Sequence, residues 1–270
     1  MRTGILVPSV LLVVLSSCNS SDSKDSSTSP PDDLYKGLKT QATVTSENYQ
    51  ELAAAARYGI EYAIVIGDLF DDIYSIAEDC QQNGKATLKE TAKSISVSFN
   101  NCSYDSRILN GQYVYNSDVG KETEYSDNMV ISWNNEKYQV QSVYICQADE
   151  ADKYDDNYLC SDGSANYVDF SKNGKHFRLE HTFRQTVDAQ NNQWDASATV
   201  YAEPYGFILL NTNTSPTLCN GGGFSSGSLN TQDTNGWGTL DVQFTDPGCN
   251  TMTANYHGTN NTLVSSTVNQ

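Results

Sequence analysis

The sequence predicts an α+β fold, mainly β, in which one long N-terminal helix packs on an antiparallel β meander braced by disulfides. Three observations predict it. Apolar residues between positions 46 and 79 recur at threes and fours, the spacing of one helix face. After Gly84 the recurrence switches to two, in short runs separated by Asn, Gly and Ser turn signals. Six cysteines run from Cys80 to Cys249 with no CxxC pair among them, which fits bridges and not a metal knuckle.

Residues 1–17 have the three-part logic of an export signal. Arg2 supplies positive charge, Ile5 to Leu15 an apolar stretch interrupted by Pro8 and Ser9, and Ser16 and Ser17 small residues before Cys18. The apolar stretch falls short of the roughly 20 residues that a membrane span needs. Leu15-Ser16-Ser17-Cys18 resembles the lipobox of bacterial lipoproteins. That resemblance implies that the Cys18 thiol receives diacylglycerol, that the signal is cut just before it, and that the new N-terminus is acylated. Each buried methylene of an acyl chain contributes about 0.8 kcal/mol, so several chains together hold a protein on a bilayer. Asn19 stands where inner-membrane lipoproteins carry Asp, which implies the outer membrane as the address. The membrane, reached through this lipid, is the expected partner.

Residues 18–33 follow as the lipidated cysteine and a Ser-, Asp- and Pro-rich linker with no large apolar residue after Cys18. Such a segment cannot build a core and is expected to stay disordered, holding the domain at 34–270 away from the bilayer. A surface-export signal is the functional alternative.

The helix is expected to start at Ser46 as cap, with Glu47 in the first turn. Leu52, Ala56, Ala63, Ile66, Phe70, Ile73 and Ala77 form its stripe, and Gln81 to Gly84 end it. Gly59 and Gly67 mark a kink or a break. Ile60 to Ile66 is apolar on more than one face, so that part should be deeply buried, with the helix covering one face of the sheet.

The strands follow. Ile95, Val97 and Phe99 alternate with serines, and Asn110-Gly111 gives a hairpin or bulge before Tyr113 and Tyr115. Met129 to Trp133 and Tyr138 to Cys146 alternate on either side of Asn134-Asn135. Later runs are 167–170, 177–187, 194–201, 207–210, 240–244 and the segment around Tyr256, with Asn173-Gly174 and Asn235-Gly236 as turns. A helix followed by an antiparallel run that contains NCSYDSRILNG is similar to proteobacterial helix-plus-β lipoproteins, a likeness that implies architecture only.

Cys80–Cys102, Cys146–Cys160 and Cys219–Cys249 are the pairs that sequence proximity favours, each closing a loop worth roughly 3 to 4 kcal/mol. The net charge of −17 repels nucleic acid, which is excluded as a partner.

Several constellations bear on chemistry. Glu150, Asp152, Asp155 and Asp156 crowd the stretch between Cys146 and Cys160 and could hold Ca²⁺. Their order is not that of an EF-hand and Lys153 interrupts them, so a solvated loop is preferred and no cofactor is assigned. Alternation puts His176, Arg178 and Glu180 on one strand face and His181 on the other, which reads as a charged surface ladder before it reads as an acid–base pair. Gly221-Gly222-Gly223 lacks the lysine of a phosphate loop and reads as a flexible turn. Trp133, Trp194 and Trp237, with many Tyr and Asn, could form a carbohydrate face or serve as half-buried strand residues. No nucleophile elbow or zinc-protease motif is present. The leading expectation is an envelope lipoprotein with a non-enzymatic structural, adaptor or ligand-binding role and an unassigned protein or glycan partner. The alternatives are a hydrolase of envelope polymers, which needs converging acid–base groups, and a carrier of hydrophobic ligands, which needs an apolar cavity.

Overall fold

A computed structural model describes residues 30–66, 69, 72–104, 106–118, 121–133, 136–147, 165–172, 174–232, 238–258 and 262–270. Among them are helix α1 (Tyr49–Val65), helix α2 (Ile73–Gln82) and thirteen strands. The strands are β1 (Ala86–Glu90), β2 (Ser94–Tyr104), β3 (Arg107–Asp118), β4 (Lys121–Trp133), β5 (Glu136–Gln147), β6 (Ala165–Lys172), β7 (Lys175–Asp188), β8 (Gln193–Ala202), β9 (Gly206–Leu218), β10 (Phe224–Gln232), β11 (Gly238–Phe244), β12 (Thr251–Gly258) and β13 (Leu263–Asn269). All pair antiparallel with their sequence neighbours, in the order β1 to β13. The meander is therefore present. Among the described residues β1 and β13 each pair on one side only, so these strands do not close the sheet on itself.

The expected single long helix is not found: the helices among the described residues are short. α1 stops at Val65, with Gly67-Asp68, two poor helix formers, next in sequence after its cap Ile66. α2 begins after Asp72. The expected start is also corrected. Asn48, not Ser46, holds the cap position; its side chain takes the Thr45 amide and gives a hydrogen bond to the Thr43 carbonyl. That stitched turn delays the helix to Tyr49, and Glu51 becomes its first-turn acid.

The two helices bury themselves differently. α2 buries Ile73, Ile76, Ala77 and Cys80, one stripe facing β1 and β2. α1 buries thirteen of its seventeen residues, too many for one face, so it lies within the curl of the sheet and not on top of it. It touches β7, β8 and β9 along one side and β11, β12 and β13 along another. Tyr62 stacks on Phe170 at 4.4 Å, and Phe170 on Phe177 at 5.1 Å, which fills the space between α1 and β6–β7. Gly59 does not break α1. A β-carbon there would collide with the Val200 side chain, so the glycine lets α1 approach β8 closely.

Asn110-Gly111 proves to be a bulge within β3: the register to β4 slips between Asn110 and Gln112, and Gly111 has φ +119°. β1, β10 and β13 carry no strong alternation and escaped the sequence reading. Cys80–Cys102 joins the end of α2 to β2 with Cα atoms 5.7 Å apart. Cys219–Cys249 joins the turns after β9 and β11 at 6.6 Å. Cys146 is in a disulfide as well, while the expected partner Cys160 lies outside the described residues.

Candidate functional site

The floor of the candidate site is the C-terminal half of α1, where a charged cluster is built into an otherwise apolar helix. Glu61, 2% exposed, receives both prongs of the Arg57 guanidinium one turn earlier, at 2.9 and 3.1 Å. It also accepts the Gly223 amide at 2.8 Å and faces Lys172 of β6 at 3.7 Å. Lys172 in turn donates to the Tyr138 hydroxyl at 3.1 Å and lies over the Tyr58 ring. A buried carboxylate is tolerated only when so surrounded. The consequence is positional: Glu61 ties α1 to the turn Cys219–Gly223, so the triple glycine expected as a flexible turn is pinned at its last residue. Arg184 of β7 donates to the Ala63 carbonyl at 3.1 Å, giving the last turn of α1 a cation that its own sequence lacks.

Around that helix end the curl of the sheet brings Trp133 of β4 and Trp194 of β8 to one cleft of about 390 Å³. Ile64 and Val65 form its base, and Arg107, Asn192 and Asn220 line it with the two indoles. Arg107 sits opposite Trp133 in the β3–β4 register and is buried to 8% exposure. The Trp194 indole N–H donates to the Asn192 side-chain oxygen at 2.8 Å. Asn192 in turn donates to the Leu218 carbonyl at 3.0 Å, with its backbone at φ +52°. The ring of Trp194 is thus held edge-on by a side chain that also clamps the β7–β8 turn to β9.

A second cleft, of about 640 Å³, opens between β3 and β7 beside Ala63. Glu122 and Glu124 project into it from one face of β4. Tyr113 donates a short hydrogen bond to Glu124, and Tyr115 donates to Glu122 at 3.2 Å. Burial and then the Glu124 carboxylate push the Tyr113 hydroxyl well up from its ordinary pKa; burial, then Glu122 and Glu124, move Tyr144 the same way. Both carboxylates therefore already hold a proton donor of the protein itself.

The ladder expected on β7 is not an open surface. Residues 30–42 lie across its outer face. Arg178, 2% exposed, pairs with Asp169 at 2.6 Å and with Asp33 at 2.7 Å, and stacks on the Tyr167 ring. Gln141 donates to the Pro31 carbonyl, and the Tyr35 amide to Asp169. The last residues of the expected linker, 30–33, thus dock on the domain. The Gln41–Phe207 bridge continues this strap along β9, and Gly206, at φ +97°, leaves the room that the Thr40 carbonyl needs. His176 and Glu180 are not brought together: His176 faces Glu203 at 3.7 Å, and Glu180 accepts the Tyr201 hydroxyl at 2.7 Å. His181 stands apart, with a left-handed backbone at φ +52°.

Cys18, Trp237 and the acidic stretch Glu150 to Asp156 lie outside the described residues. Among the described residues no group of three acidic, His or Cys side chains is placed to hold a metal, and no helix is long and apolar enough to cross a membrane. Sequence reading missed Arg107, Glu122, Glu124 and the Glu61–Lys172 contact. Only Glu61 left a usable signal, as an Arg57–Glu61 pair at i, i+4 inside an apolar helix. Comparison with protein-family models, curated proteins and solved structures finds no match to this chain.

Proposed function

We propose that the chain is a lipid-anchored lipoprotein of the bacterial outer membrane, acylated at Cys18, whose domain is a rigid, non-enzymatic binding module with the Trp133–Trp194 cleft as its site. The observation that carries this reading is the construction of that cleft. Stacking and hydrogen-bonding side chains from β3, β4 and β8 converge on the end of a helix fixed by buried ion pairs. Preorganised side chains on rigid elements suit binding. Among the described residues its lining brings no carboxylate or imidazole, and the carboxylates of the neighbouring cleft are each occupied by a tyrosine hydroxyl, which supports binding over hydrolysis. α1 occupying the inside of the sheet argues against a carrier of hydrophobic ligands, whose cargo would need that space.

Two measurements test the reading. Wild-type protein is expected in the detergent phase with an intact mass that includes acyl chains, and Cys18→Ala in the soluble fraction; undiminished membrane association of the variant would contradict the anchor. The soluble Cys18→Ala protein is expected to co-sediment with isolated envelope material without releasing soluble fragments from it. Fragment release would establish a hydrolase in place of a binding module.

A further inference from the structure

We propose that the Trp133–Trp194 cleft is a carbohydrate site that takes a pyranose of a glycan, an inference that rests on the reading of the domain as a binding module. A pyranose ring presents apolar C–H faces and a rim of hydroxyls. Its recognition needs flat aromatic surface together with fixed donors and acceptors around the edge. The cleft holds both kinds of group on one floor: two indoles, a guanidinium and two side-chain amides.

The aromatic surfaces are fixed in place. Trp194 is held through its indole N–H by Asn192, so its ring is presented in one orientation. Trp133 is backed by Gly222, where a β-carbon would lie 3.5 Å from the indole and 2.8 Å from the Glu61 carboxylate. The contact with the indole is ordinary; the approach to Glu61 and the backbone φ of +89° are what call for glycine in this turn. Arg107, the cross-strand neighbour of Trp133, also lines the cleft, and a guanidinium is a planar group of N–H donors of the kind that engages vicinal hydroxyls.

The test is a titration of the full-length Cys18→Ala protein with chitotriose, maltotriose and trigalacturonate, read by tryptophan fluorescence and by chemical shifts of the indole N–H groups. A saturable change with at least one of the three is expected, and trigalacturonate against maltotriose separates acidic from neutral recognition. Trp133→Ala and Trp194→Ala should each weaken binding about tenfold or more, as the loss of a central aromatic contact does. Trp133→Phe, which keeps a ring, should lose less. Asn220→Trp, at an exposed rim position, should abolish binding by filling the cleft while leaving the fold intact, so the proposal stays testable if an alanine variant unfolds. Absence of any saturable response, or binding that neither the tryptophan variants nor Asn220→Trp weakens, would overturn it. If the protein co-sediments with envelope material and responds to no sugar, the carbohydrate inference fails and the binding reading stands. If it does neither, both fail.

Discussion

Asp33 shows how single residues convert the end of an apparent linker into part of the domain. Burial alone would raise its carboxyl pKa, but the Tyr167 hydroxyl and the Arg178 guanidinium outweigh burial and hold it below the ordinary 3.8. A carboxyl depressed in the folded state adds stability above its unfolded value, and that stability is lost as pH falls through the lower folded value. Acidification below about 3.8 should therefore release residues 30–36 from β5–β7 ahead of the sheet, seen as proteolytic cleavage near Tyr35. Asp33→Asn should remove this acid dependence; identical cleavage profiles for the two proteins would contradict the docking. Arg178→Ala should destabilise the whole domain by about 3 to 5 kcal/mol, because it leaves Asp169 buried without its partner. A loss below 1 kcal/mol in urea unfolding would mean that Arg178 only decorates the surface. None of this was legible in the sequence. The spacing put His176, Arg178 and Glu180 on one strand face correctly, but alternation cannot say what lies over that face.

The two helices separate what hydrophobic period can reveal from what it cannot. In α2 the expected stripe residues Ile73 and Ala77 are buried, and Ile76 and Cys80 are buried with them. In α1 the apolar run Ile60 to Ile66 signalled burial on several faces, and that is what forces the helix inside the sheet. α1 ends just before Gly67 in sequence, which the reading took as a kink or a break; the apolar period runs on past it and favoured one long helix. Ile60, fully buried in α1, is the sharpest probe of this packing. Ile60→Ala should cost about 2 to 5 kcal/mol in chemical unfolding. Glu78→Ala, on the exposed side of α2, should change stability by less than about 0.5 kcal/mol. Equal effects at the two sites would mean that α1 packs as a surface helix. Phe70, on the expected stripe, lies outside the described residues and carries no such prediction.

At the scale of the whole molecule, the antiparallel meander was readable from short runs joined by turn signals, and Cys80–Cys102 and Cys219–Cys249 join elements that lie close together along it. The curl of the sheet was not readable. Trp133 and Trp194 stood out as aromatic candidates, but only wrapping the sheet about α1 brings β4 and β8 to one cleft. The enclosure of α1 is thus the claim on which both the rigid module and its site depend. Native-state hydrogen exchange tests it most directly. The amides from Leu52 to Ile64 should exchange only through global unfolding, with the same free energy as the central strands β7 and β8. Exchange of those α1 amides at markedly lower free energy, while β7 and β8 stay protected, would show a helix that opens like a lid on the outside of the sheet and would contradict the account.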